Sequence, residues 1–169
     1  MIIGMSTATF TLLHVIISLI GIFTGLVVAA GFWSGKRFDS WTGVFLLTTV
    51  LTDVTGFMFP EPGFDPARVV GVISLVVLAI AILAFYVYHV AGAWRWIYVT
   101  TALIGLYLNC FVAVVQSFQK IPALHALAPK GNEPPFAVAQ GALLLIFIVI
   151  GVVSVRRFHP TAPQGTAYA

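Results

Sequence analysis

No charged side chain occurs before Lys36, and the run from about Thr9 to Phe32 is apolar throughout. A helix needs about 20 apolar residues to cross the hydrocarbon core of a bilayer. Four further stretches come close to the same length: Trp41 to Phe59, Val69 to Val90, Trp96 to Phe118, and Phe136 to Val155 closed by Arg156 and Arg157. Only 8% of the 169 residues are charged against 60% hydrophobic, with a mean hydropathy of +1.07. A water-soluble domain carries about a quarter charged residues to dress its surface. The sequence therefore predicts an all-α integral membrane bundle of five transmembrane helices. Four is the alternative, because Asp53 weakens the second segment.

The connections agree with this division. Ser34 to Ser40 is a polar turn, Pro60 to Pro66 holds three prolines that no helix interior accepts, and Ala91 to Arg95 is a tight link. In the longest loop, Gln119 to Pro135, Pro122 suits a first helical turn and Pro129 suits an end, so a short interfacial helix is expected there. Residues 1–158 read as one bundle and 159–169 as a flexible tail rich in Pro, Gly and small residues. Val28-Ala29-Ala30 loosely resembles a signal-peptide cleavage site, but the apolar run is too long for a signal core and no basic residue precedes it. The first segment is expected to remain as a span.

Five crossings put Lys36, Arg37, Arg95, Arg156 and Arg157 on one face and Arg68, Lys120 and Lys130 on the other. The more basic face is expected in the cytoplasm, with the N-terminus outside and the C-terminus inside. All four tryptophans, Trp33, Trp41, Trp94 and Trp96, fall on that same face, where indoles anchor at headgroup level. The basic residues are scattered, so no nucleic-acid partner is implied. Cys110, the lone cysteine, reads as a small buried apolar residue.

Polar residues inside apolar helices carry whatever chemistry the chain has. Gly4, Thr7, Thr11, His14, Ser18, Gly21 and Gly25 recur at three- and four-residue steps, one continuous helix face that points His14 into the bundle. Ser18, Gly21 and Gly25 read as close-packing positions. The threonines of the second segment read as structural, bonding back to their own carbonyls. Asp53 is costly at membrane depth and needs a partner, a proton or a task. It lies six residues from Phe59, about 9 Å below the outer end of its helix. His14 lies at a similar depth. Gln116, Gln140 and His125 belong to the same leaflet, whereas His89 closes the third segment at the opposite side and reads as an interfacial residue.

The expected cluster is thus His14, Asp53, Gln116 and Gln140. In its structural reading, interhelical hydrogen bonds fix helix register. In its chemical reading, His14 and Asp53 relay a proton, or His14 and His125 ligate haem b or a metal while Asp53 orients the ring. Arg68, Lys120 or Lys130 would then meet the propionates. Met1, Met5 and Met58 lie on the same side, but no repeated Met motif supports a Cu(I) site. The fourth segment adds Asn109 to Gln116. No nucleophile–base pair occurs at readable spacing, which argues against covalent catalysis.

Three segments, Leu13 to Ile22, Thr55 to Pro60 and Pro134 to Gln140, give the chain its character. Taken with its length, it resembles small multi-pass inner-membrane proteins of proteobacteria. That resemblance implies an inner-membrane location and no activity. Three roles follow from the sequence: an accessory or structural membrane component in a larger complex or homo-oligomer, a redox or proton-linked protein using haem or quinone, or a subunit of a small oligomeric carrier or channel.

Overall fold

The computed structural model describes residues 2–60 and 66–159, and every regular element in it is helical. In chain order these are α1 (Thr7–Trp33), α2 (Asp39–Gly56), α3 (Pro66–Ile82) running into a π-helical turn (Leu83–Val87), α4 (Trp94–Lys120), α5 (Pro122–Leu127) and α6 (Pro134–Arg157). The expected tail from residue 160 on lies outside the described residues.

Four helices are long and apolar enough to cross a membrane: α1, α3 with its π turn, α4 and α6. The second expected span, α2, is not among them. Its 18 residues include Asp39, Asp53 and threonines at 42, 48, 49, 52 and 55, which dilute its apolar content. Its threonine hydroxyls are nonetheless satisfied within the helix itself. The hydroxyls of Thr48, Thr49, Thr52 and Thr55 donate to the carbonyls of Val44, Phe45, Thr48 and Leu51 at 2.7–2.9 Å, so none of these protons is stranded. α2 packs most extensively on α1, and also on α3 and α4.

Successive long helices run in alternating directions, as the contacts at the two ends show. At the basic end, the Arg37 guanidinium sits 4.6 Å above the Phe85 ring at the close of α3. Arg95, opening α4, donates to the carbonyls of Val155 and Phe158 beyond α6, at 2.9 and 2.6 Å. Arg157 lies over Trp33 at 5.5 Å. At the other end, Phe10 of α1 meets Phe59 just past α2, Arg68 of α3 donates to the Phe59 carbonyl at 2.8 Å, and Phe118 of α4 meets Phe136 of α6. Lys36, Arg37, Arg95, Arg156 and Arg157 therefore collect at one end of the bundle.

Each helix end has a local cause. Ser6 caps α1 by accepting the Thr9 N–H at 3.1 Å. Gly35, at φ +70°, closes α1 in the left-handed region, which glycine enters without a Cβ penalty. α3 ends without such a glycine: the π turn widens the helix, and the Val90 N–H bonds back to Ala84 across six residues. His89 and Val90 are held at φ +50° and +62°, and Tyr88 stacks flat on Trp94, 3.8 Å away. α5 occupies the expected place with Pro122 in its first turn. Before α6, the Glu133 carboxylate accepts the N–H groups of Lys130 and Asn132 at 3.0 and 3.1 Å. Desolvation would raise the pKa of Glu133, but these N–H groups outweigh it and hold the carboxylate below its usual value.

The apolar core is concentrated in the half of the bundle next to the basic end. Phe32, Phe85, Tyr98 and Phe158 form an aromatic cluster there, with ring centroids 4.9–6.3 Å apart. Toward mid-depth Gly25 lets α1 close on α2 and α4: a Cβ at that position would stand 2.5 Å from Leu106 Cδ1 and 2.9 Å from the Phe45 ring. Both neighbours are fully buried and have nowhere to retreat. Replacing Gly25 by Ala is therefore expected to destabilise the folded bundle by about 1–3 kcal/mol. Thermal or denaturant unfolding in detergent measures this, and an unchanged midpoint would contradict the close approach of the three helices.

Candidate functional site

The bundle holds its interhelical polar contacts at three levels. At the end away from the basic residues, His14 Nδ1 lies 2.8 Å from Thr55 Oγ1 on α2. A hydroxyl has one proton, and Thr55 donates its own to the Leu51 carbonyl at 2.7 Å. Nδ1 must then be the donor, and in the neutral ring this tautomer leaves Nε2 as the lone-pair nitrogen. Phe59 packs edge-on against the imidazole at 5.3 Å, and Phe10 backs Phe59.

Asp53 faces elsewhere. Two residues along a helix is a turn of about 200°, so Thr55 and Asp53 look in opposite directions. Thr55 meets α1, and the carboxyl of Asp53 has the buried Ser74 hydroxyl of α3 as its polar neighbour. Among the described residues the ion pair that forms is Arg37–Asp39, not His14–Asp53. Asp53 Oδ2 is buried with no hydrogen-bond partner. The expected pair is thus divided between the α1/α2 and α2/α3 contacts.

The remaining expected members are spread out. Gln140 Nε2 donates across to the Phe111 carbonyl of α4 at 3.2 Å, and its Oε1 is buried without a partner. Gln116 is exposed. His125 is exposed on α5, whose packing is against α4. His89 is exposed after the π turn at the basic end. Met58 is exposed, and among the described residues no three His, Cys, Asp or Glu side chains converge as a metal site.

Sequence reasoning missed the middle level. Ser18 of α1 donates to Asn109 Oδ1 of α4 at 2.9 Å. Asn109 is buried, and its Nδ2 has no partner. Gly21 admits this crowding: a Cβ there would stand 3.2 Å from Asn109 Nδ2, Thr48 Oγ1 and Thr49 Oγ1 alike. Three helices thus bring polar groups together over one bare Cα near the centre of α1. The signal was present as Ser18 and Gly21 on the small-residue face and Asn109 alone in an apolar run. Deeper still, toward the basic end, Thr42 Oγ1 and Tyr98 Oη are hydrogen-bonded at 2.9 Å in a fully buried contact between α2 and α4.

Comparison with known protein families, with curated proteins and with solved structures finds no match to this chain. What the site does must therefore be read from its geometry. Four of its side-chain hydrogen bonds join helices. Replacing His14 by Ala and Thr55 by Val, singly and together, is expected to show a coupling of about 0.6 kcal/mol and at most about 1.7 in a double-mutant cycle of bundle unfolding. Strict additivity would contradict the bond and the tautomer derived from it.

Proposed function

We propose that this chain is an integral membrane protein of five crossings that serves as a structural or accessory component of the membrane. The carrying observation is the set of interhelical hydrogen bonds: His14–Thr55 joins α1 to α2, Ser18–Asn109 joins α1 to α4, Thr42–Tyr98 joins α2 to α4, and Gln140–Phe111 joins α4 to α6. Side chains that would otherwise be the reactive groups of a site are here partners in a register-fixing network. In this reading α2 crosses the bilayer with its polar face against more apolar helices and its apolar face outward, and α5 lies at the outer interface. The basic end faces the cytoplasm of a bacterial inner membrane, and the N-terminus lies outside. The alternation of helix directions supports the odd number of crossings.

Single cysteines in a Cys110→Ala background test the topology. Phe38→Cys and Pro60→Cys flank α2, and they are expected to react with a membrane-impermeant maleimide from opposite sides, Pro60→Cys from outside. Reaction of both from one side would remove α2 from the set of crossings.

A second reading rests on one observation, the buried and unpartnered Oδ2 of Asp53 beside Ser74. A carboxyl so placed holds or passes a proton. Proteoliposomes carrying an internal pH dye are then expected to show proton uptake that Asp53→Asn abolishes while the unfolding midpoint stays within about 0.5 kcal/mol of the parent. Equal uptake in the two proteins would remove this reading.

A further inference from the structure

α6 is the least covered of the long helices: of its 24 residues only Phe147 and Ser154 are buried. It is nevertheless held to α4 at two separated points. At the basic end Arg95 grips the carbonyls of Val155 and Phe158, and toward the other end Gln140 grips the carbonyl of Phe111. Between these ties the helices leave a groove of about 460 Å³. Leu103 and Tyr107 of α4 line one wall, and Phe147, Gly151 and Val155 of α6 line the other. Tyr107 and Phe147, 5.6 Å apart and edge-to-face, are its aromatic contact across the two walls.

The dimensions and the charge identify an occupant. The α6 wall runs from residue 144 to residue 156, about 18 Å at the helical rise. That is slightly more than half of a hydrocarbon core about 30 Å thick, the depth reached by a chain from one leaflet. Arg156 stands at the basic end of the groove, exposed, while its neighbour Arg157 is turned over Trp33 and Arg95 is committed to backbone carbonyls. One cation at headgroup level above an apolar slot one leaflet deep is complementary to a single lipid with an anionic head.

We propose that the α4/α6 groove binds one acyl chain of an anionic phospholipid, with the lipid phosphate on Arg156. The two ties hold the slot open, so the lipid enters a preformed site. This inference rests on the membrane reading above, and the test separates the two. The protein is extracted from membranes in mild detergent, supplied with equal phosphatidylglycerol and phosphatidylcholine, and weighed by native mass spectrometry. Phosphatidylglycerol is expected to be retained about five-fold over phosphatidylcholine, the gain due to one Arg near the surface. Arg156→Gln is expected to erase that preference. Gly151→Phe is expected to remove both lipids: a Cβ at Gly151 meets nothing within 4 Å, so the ring can fill the groove without displacing the bundle. Gly151→Leu serves the same purpose with a smaller side chain, and an unchanged helical circular dichroism spectrum certifies either variant as folded. Equal retention of the two lipids by the parent, lipid retained by folded Gly151→Phe, or a dimer that Gly151→Phe splits would each overturn the proposal. A chain that never enters the membrane fraction would overturn the membrane reading instead.

Discussion

Hydrocarbon offers a polar side chain no hydrogen-bond partner, so a hydroxyl, amide or imidazole in an apolar bundle gains from one on its own helix or on a neighbour. This constraint organises α2, the helix richest in such groups. Its threonines give their protons to carbonyls one turn back and keep lone pairs to accept from others. Thr55 accepts a hydrogen bond from the Nδ1–H of His14 in this way. Thr42 instead reaches the Tyr98 hydroxyl directly. A helix too polar to face lipid alone turns Thr42, Thr49 and Thr52 inward and leaves the apolar face of Trp41, Val44, Leu47, Leu51 and Val54 exposed.

The bundle divides by depth. Toward the basic end, aromatic rings and small residues pack to a dense core with Gly25 under Leu106 and Phe45. Toward the other end the interior carries Asn109, Ser74 and Asp53, with Asn109 Nδ2 and Asp53 Oδ2 unpaired. Tight packing at one end fixes the geometry, and it frees the other end to hold polar groups whose pairing is incomplete. Interhelical bonds of this kind are individually small in lipid, and several of them on different helix pairs are needed to set register.

Much of this was legible from the positions of charge. The uninterrupted apolar runs mark α1, α3, α4 and α6, and Lys36, Arg37, Arg95, Arg156 and Arg157 do gather at one end. Pro122 marks α5. The α2 segment was less clear, because hydropathy cannot see that threonine protons are absorbed within the helix. Rise per residue correctly put His14 near the level of Asp53, since His14 bonds to Thr55. It carries no information on rotation, and the two-residue offset turns Asp53 toward α3 instead. Ser18 and Asn109 were separately visible, but their contact depends on which helices are neighbours, which periodicity along one helix does not encode. The π turn and the positive φ of Val90 have no local sequence signature, for a β-branched residue disfavours that region.

The central claim is that α2 is a member of the bundle, held there by the polar face it turns to its neighbours. Hydrogen–deuterium exchange of the protein in lipid nanodiscs, resolved by mass spectrometry, addresses it directly. Amides of α2 from Phe45 to Asp53 are expected to exchange as slowly as those of mid-α1 and mid-α4. Exchange at the rate of the loop before Pro134 would show that α2 lies outside the protected bundle and would contradict the account.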